Sequence, residues 1–573
     1  MVVNSICLPA RRATTGVCGG ACAINLGGVA MLTSSLPTEL ARVLALPIRQ
    51  LPAPWEPERR PGATMELRPI QAEALAEIRA TGAGLVSAGV GHGKTLIGLL
   101  AGAALGVDRT VYIAPAACVA QVEAELERAN ENWILPPVAV VSWSSLSGAK
   151  AEALLDAAAG HGTFALVADE AHVLRSSTSA RTRRWCRFRG LNVERSRVVL
   201  MSGTLTRRHL LDLTDVAWLA LGKRSPVPTG STAAALELYL EDPRLGRGVR
   251  EAQALRDWAG VADVAEALGA RIRSAPGVVT TSSQSVDCPI YVVPIKHMPE
   301  ARECVAMADQ VAATFRVPDG DDLVTASDVA RAQRQLSLGY RMVWVWPGEP
   351  DRAWIEARRS WAATVRAALA TDYAERHRLD SELVLMAHAV RAESPFAADL
   401  RQARARVADV LDDPNRAPQS KPAWLTGKIM ERLIDTVARE PAVLVWYDER
   451  AVAEYLRTVG ATIAPLGERV DYGQGLTAVS LRSHATGLNC QRWSRNLYTT
   501  VPPSGQAWEQ SLGRTHRPGQ DADAVLAWRP AWCRVQTAAW QEARKSAEWI
   551  QSVTGQRQKL SIVQEVENGD LGF

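Results

Sequence analysis

Residues 84–100 read GLVSAGVGHGKTLIGLL, and the order strand, loop, helix within them sets the expected architecture. Gly84–Ser87 is a short apolar strand. AGVGHGKT, residues 88–95, is a glycine-rich loop, and an apolar helix follows directly from Lys94. The phosphate-loop consensus is G-x-x-x-x-G-K-[ST]; only its first glycine departs, replaced by Ala88. Gly89, Gly91 and Gly93 let the backbone curl so that its N–H groups face phosphate oxygens, and His92 lies inside the same loop. The helix points its positive end at the same place. Lys94 is expected to reach the β and γ phosphates of ATP, and Thr95 to set its hydroxyl on Mg²⁺. A chance glycine-rich turn would lack the flanking strand and helix.

The second half of such a site is a strand ending in acidic residues. FALVADEAH, residues 164–172, supplies it. The apolar strand delivers Asp169 and Glu170 to its carboxyl end, where open α/β sheets bind ligands. Asp169 is expected to hold Mg²⁺, and Glu170 to orient and deprotonate the attacking water.

Working outward, apolar strands recur at Val111–Ala114, Val138–Val141, Phe164–Ala168 and Val198–Met201, with helical segments between them. That alternation predicts a parallel sheet with helices on both faces. Residues 216–420 lack the rhythm and read as a mostly helical insertion. It carries arginine-rich stretches, ARAQRQLSLGYR and ARRSWAATVRAAL, which suit phosphate contacts and solvated helix faces equally. A second alternating region has strands at Ala442–Trp446, Thr477–Leu481 and Ala524–Trp528, and a closing helix at Thr537–Val553. The expected fold class is α/β, with two parallel-sheet lobes and a mostly helical insertion between them. The boundaries are 1–66 leader and linker, 67–215 first lobe, 216–420 insertion, 421–535 second lobe, and 536–573 closing helix and tail.

The 573 residues allow two to four domains. A formal net charge of +4 confines any nucleic-acid surface to a groove. The chain has 18 Trp against 5 Phe, and most of the Trp are expected in cores and lobe packing. Its 9 cysteines are scattered, which excludes a disulfide framework and points to a reducing compartment. Cys7, Cys18 and Cys22 have no fourth ligand at metal spacing, so zinc is not expected. No apolar run reaches the length of a membrane span. Residues 1–35 faintly resemble a signal peptide. A chain that needs ATP is expected in the cytoplasm, of a bacterial or phage-infected cell, so they read as a disordered leader or as the product of a start codon placed too early. The segment 36–66, with PAPWEPERRPG, reads as a linker.

The order of motifs resembles superfamily II helicases and translocases, most closely the Swi/Snf-like branch and its compact, phage-encoded DEAH-box members. LRPIQ, residues 67–71, looks like the entry motif, which implies that Gln71 reads adenine. AGVGHGKT is motif I. IAP at 113–115 and VVSWSSL at 140–146 look like motifs Ia and Ib, which implies nucleic-acid backbone contacts from Pro115 and Ser142. DEAHVLRSSTSARTRRW extends motif II, with Arg175 at a position usually basic and His172 in a coupling role. Ser202, Gly203 and Thr204 form motif III, which couples hydrolysis to movement; Leu205 stands where the branch usually has Pro. VLVWYDE, 443–449, resembles motif IV. SHATGLNCQ, 483–491, resembles motif V and implies nucleic-acid contacts from Thr486 and Gly487. QSLGRTHRPGQ, 510–520, resembles motif VI, with Gln510 in coupling and Arg514 and Arg517 as arginine fingers. The stretch from Glu449 to Ser483 is short for the branch, so part of the second lobe is expected to be missing or rebuilt.

The resemblance implies two RecA-like lobes around one ATP and Mg²⁺. It also implies a DNA helicase or translocase that moves along or remodels duplex or branched DNA. Two alternatives stand beside it: an RNA helicase, and a nucleotide-gated binding or loading subunit that hydrolyses ATP without unwinding.

Overall fold

The computed structural model describes residues 37–89, 91–175, 179–207, 209–283, 286–376, 379–391, 394–465, 470–484 and 489–567. The architecture is α/β, with two RecA-like parallel-sheet lobes. Among the described residues no helix is long and apolar enough to cross a membrane.

The first lobe is built on β1 (Gly84–Ser87), β2 (Arg109–Ala114), β3 (Val138–Ser142), β4 (Phe164–Ala168), β5 (Ser196–Ser202) and β6 (Val278–Thr280). All pair in parallel, in the order β3-β2-β4-β5-β1-β6. β4 and β1 are buried along their whole lengths, as expected of strands covered on both faces. The order sets β4, β5 and β1 side by side, with Ser87 of β1 level with Ser202 of β5. The loops that follow these three strands therefore open at one edge. They carry the DEAH, SGT and phosphate-loop residues.

The helix Lys94–Leu105 covers one face of this sheet. It begins after Gly93 and ends before Gly106, both left-handed at φ +73° and +63°. Gly98 allows its close approach, since a Cβ there would lie 2.5 Å from Met201 Cε and 2.6 Å from Tyr112 Cε2.

The second lobe contains β7 (Ile290–Ile295), β10 (Ala442–Tyr447), β11 (Thr462–Ile463), β12 (Gly475–Ser480), β13 (Arg495–Tyr498), β14 (Val525–Pro530) and β15 (Val563–Glu565). They pair in parallel in the order β11-β12-β10-β13-β14-β7-β15. A two-stranded antiparallel sheet pairs β8 (Tyr340–Val345) with β9 (Gln419–Trp424).

Sheet membership draws the lobes differently from the boundaries expected above. The helices between 210 and 273 bury Leu236, Leu255, Leu268 and Ile272 in the same core as Leu85 and Leu200, so the first lobe runs on to β6. The second lobe already starts at β7. Only the helices from Arg302 to Leu411 form the insertion, around two small cores, one with Val311, Val329 and Leu336 and one with Trp361, Val365, Leu385 and Leu400. Helical periodicity shows that a face is buried, not what buries it, and the 216–420 boundary rested on periodicity alone. Among its described residues, the short stretch before Ser483 holds the helix Arg450–Thr458, the strands β11 and β12, and the start of the helix Leu481–His484. The sheet gains width on its other side, where β7 pairs with both β14 and β15.

The linker also departs from expectation. Thr38–Leu44 is a helix whose Leu40 and Val43 are fully buried. Arg271 fastens it, donating from Nε to the Val43 carbonyl at 2.8 Å. Residues 1–35, with Cys7, Cys18 and Cys22, lie outside the described residues.

Candidate nucleotide site between the lobes

The phosphate loop turns on Gly91, at φ +92°, and Gly93. Lys94 Nζ donates to the carbonyls of Ala88 and Gly89 at 2.7 and 3.0 Å. An ammonium has three donors, and the loop's own carbonyls take two of them and orient Lys94. Ala88 is fully buried in the sheet core, and its carbonyl serves Lys94 without a glycine there. Gln71 lines the same cleft. Its Oε1 accepts from Arg68 N at 2.8 Å, and its Nε2 donates to the Gly93 carbonyl at 3.3 Å. Gly93 is favoured by its φ of +73°, and a Cβ there would also displace the Gln71 amide, 2.2 Å away.

Asp169 stands at the end of β4, 9% exposed. The Tyr112 hydroxyl donates to its Oδ2 at 3.2 Å, and that same hydroxyl is in hydrogen-bond contact with Thr95. The two residues expected to hold Mg²⁺ therefore share one tyrosine. Burial, and then the charge of Glu170, push the Asp169 carboxyl above its ordinary range. Glu170 goes the other way. Burial opposes its charge, but the His172 hydrogen bond and the charges of His172, Lys94 and Arg514 hold it below the usual carboxylate value. A buried carboxyl pair facing a threonine hydroxyl is the oxygen-ligand chemistry that suits Mg²⁺.

Glu170 is linked directly to the residues at the end of β5. Its Oε2 accepts from Ser202 Oγ at 3.1 Å and lies 3.0 Å from His172 Nδ1. His172 Nδ1 is itself 3.2 Å from Ser202 Oγ, and Thr204 N donates to Ser202 Oγ at 3.1 Å. The residues expected to couple, His172, Ser202, Gly203 and Thr204, thus stand beside the expected base. Gln510 is buried on the helix Gly505–Thr515 of the second lobe and does not line the cleft.

Arg514 lies near the end of the helix Gly505–Thr515, and Arg517 lies two residues beyond it. Both line a cleft of about 480 Å³ together with Gln71, Lys94, Thr95, Asp169 and Glu170. Burial lowers the Arg514 pKa, and Glu170 is the largest charge acting against that shift. Lobe 1 thus supplies the loop and carboxylates, and lobe 2 supplies two cations.

Not every expected residue joins this group. Pro115 and Ser142 stand half-buried at the carboxyl ends of β2 and β3, an edge where a ligand could lie. Thr486 and Gly487 lie outside the described residues. Arg175 is a correction. Its side chain is 7% exposed and ties the lobes, with Nε donating to the His172 carbonyl at 2.9 Å and Nη2 to Gln506 Oε1 at 3.1 Å. Asp212 lies 3.7 Å from Nη1. Its guanidinium thus lies inside the protein, between the DEAH segment and the helix Gly505–Thr515, and not at the surface expected of a nucleic-acid contact.

Four arginines of the insertion's arginine-rich stretches are likewise engaged within the protein. Arg358 pairs with Asp321 at 2.9 Å, Arg359 with Asp322 at 3.3 Å, and Arg341 with Asp319 at 2.8 Å. Arg366 donates to the Leu323 carbonyl at 2.6 Å.

The sequence reading missed several residues of the cleft. Arg68 donates to the Gly91 carbonyl at 2.6 Å, and its signal lay inside LRPIQ. Trp143 Nε1 donates to the Asp169 carbonyl at 2.8 Å and orients that strand end. Tyr112 and Trp143 sit in or beside apolar strands, so nothing in the sequence marked their polar tips.

No family model matches the chain, and no curated protein matches it.

Proposed function

We propose that the chain is an ATP-dependent DNA translocase or helicase of the Swi/Snf-like type. One observation carries the reading. The phosphate loop and carboxylates come from one lobe, the two arginines come from the other, and all face a single cleft. A site split in this way lets hydrolysis and lobe movement drive one another.

Glu170 would accept a proton from a water, and the resulting hydroxide would bond to the γ-phosphorus. The bond from that phosphorus to the β–γ bridging oxygen would break, releasing ADP and phosphate. Lys94, Arg514 and Arg517 would offset the charge that develops. Thr95 and Asp169 would hold Mg²⁺, and the ion would supply positive charge beside the phosphate oxygens. The Ser202–Glu170–His172 contacts would carry the change at the γ-phosphate into lobe 1.

The test is ATP turnover with duplex, forked, four-way-junction and single-stranded DNA, and with RNA. Duplex or branched DNA is expected to stimulate most. Lys94→Ala is expected to abolish turnover, and retained turnover would overturn the site. Stimulation by RNA alone would make the chain an RNA helicase. The buried Arg175–Gln506 tie between the lobes, a contact that a nucleotide-driven switch could make and break, favours a second reading, a nucleotide-gated binding or loading subunit. Triple-helix displacement separates the two, because a gated binder hydrolyses ATP and displaces no strand.

A further inference from the structure

The C-terminal segment returns to the phosphate loop. The helix Arg534–Thr554 packs on the second lobe through Trp540, whose ring lies 5.0 Å from that of Trp508. It also reaches the first lobe, where Arg273 donates to the Ser552 carbonyl at 2.7 Å. Gly555, at φ +73°, turns the chain back. The residues after it are polar and buried, with Gln556 and Gln558 each 1% exposed and Lys559 6%.

Their contacts run in two directions. Gln556 Oε1 accepts from Ser87 Oγ at 3.4 Å, at the end of β1. Its Nε2 has no hydrogen-bond partner among the described residues, and a Cβ on Gly89 would lie 3.2 Å from it. Three residues on, Lys559 N donates to Glu509 Oε2 at 2.6 Å. Lys559 Nζ lies 2.8 Å from His516 Nδ1, and His516 Nε2 lies 2.7 Å from the Cys288 carbonyl. The carbonyl only accepts, so Nε2 donates to it and Nδ1 accepts from the lysine. Glu509 belongs to the helix that carries Gln510 and Arg514.

A buried amide donor without an acceptor is costly and marks a group awaiting one. Here it sits against the first glycine of the phosphate loop, three residues from a lysine pinned to the arginine-bearing helix.

We propose that Gln556 is a positioning residue for the phosphate loop, and that Lys559 fastens it to the arginine-bearing helix. The C-terminal segment then joins the two halves of the nucleotide site. The inference rests on the nucleotide reading above. Binding draws the loop around phosphate and gives the Gln556 amide its acceptor, so the loop state is passed to the arginine helix through three residues of tail.

The experiment uses the full chain and Mg²⁺·ADP. Hydrogen exchange of the amides of residues 555–560 is expected to slow on binding. Gln556→Ala is expected to weaken binding by about fivefold or more, the scale of one lost hydrogen bond. Gln556→Glu keeps the oxygen that faces Ser87 and loses the donor, so it is expected to share that loss. Lys559→Met is expected to lower DNA-stimulated kcat more than it raises the KM for ATP. Wild-type affinity in both Gln556 variants, or unchanged exchange in the tail, would overturn the proposal. Failure of the wild-type chain to bind Mg²⁺·ADP would instead overturn the nucleotide reading itself.

Discussion

At Glu170 the backbone and the side chain are both held away from their ordinary states. Its φ is +50°, a left-handed value that costs a non-glycine residue about 1–2 kcal/mol. Its own N–H donates to Asp169 Oδ1 at 2.9 Å, and Ser202 and His172 fix its carboxylate. Strain held by this many contacts is typical of a functional position. Glu170→Gln is therefore expected to lower kcat by about 10² or more while nucleotide affinity survives. Single-turnover hydrolysis beside equilibrium binding of an ATP analogue checks both halves. The pH dependence has a definite sign. His172 supplies the leading contact that lowers the Glu170 pKa. His172→Ala removes it, so the carboxyl pKa rises and the acid limb of the kcat–pH profile moves to higher pH. An acid limb that stays in place would show that Glu170 is not the group titrating. The DEAH letters made Asp169 and Glu170 legible as a pair. Their opposite pKa shifts were not legible, because those also depend on burial and on the charges of Lys94 and Arg514, which only the fold brings near.

At the level of elements, the helix Lys94–Leu105 shows how local preference and packing can disagree. An alanine in place of a mid-helix glycine ordinarily stabilises a helix by about 1 kcal/mol. At Gly98 the new Cβ would meet Met201 and Tyr112 at 2.5 and 2.6 Å and Val167 Cγ1 at 2.9 Å. Gly98→Ala is thus expected to destabilise the protein by about 1–3 kcal/mol, the usual cost of overpacking. Thermal or urea unfolding of the variant reads the sign directly. β1 and β4 were legible to the residue because each is a continuous apolar run bounded by turn or acidic residues. β6 and β7 were not, since they lie in a stretch dominated by helical periodicity, and β7 contains Pro294. β13, RNLY, begins with two polar residues and looked like loop. Parallel pairing is long-range, so a short strand of this kind is defined by neighbours far away in the chain. The same limit hid the place of the tail strand β15 beside β7.

Across the whole molecule, the decisive contacts are those that join the lobes. The family resemblance placed Arg175 on nucleic acid, and its basic character supports that equally well from sequence. The fold instead gives it a neighbour 331 residues away, Gln506, just after the N-terminus of the arginine-bearing helix. Its other partners, the His172 carbonyl and Asp212, belong to the DEAH segment and to the helix Leu210–Leu221. Arg175 therefore spans from the residue beside the expected base to the helix of the expected fingers. The two placements make different forecasts for Arg175→Ala. A phosphate-binding arginine, once removed, would weaken DNA affinity at every sequence and reduce the salt dependence of binding by about one ion. A strut, once removed, leaves DNA affinity and its salt slope close to wild type. What it costs is communication: DNA-stimulated kcat is expected to fall toward the basal rate, because lobe closure no longer draws Arg514 and Arg517 into register with Glu170. Arg517→Ala provides the scale, since loss of a finger itself is expected to slow turnover by about 10³ or more. Binding isotherms at several salt concentrations, set beside DNA-stimulated and basal turnover, separate the two placements. A lowered salt slope with intact stimulation would return Arg175 to the nucleic-acid surface.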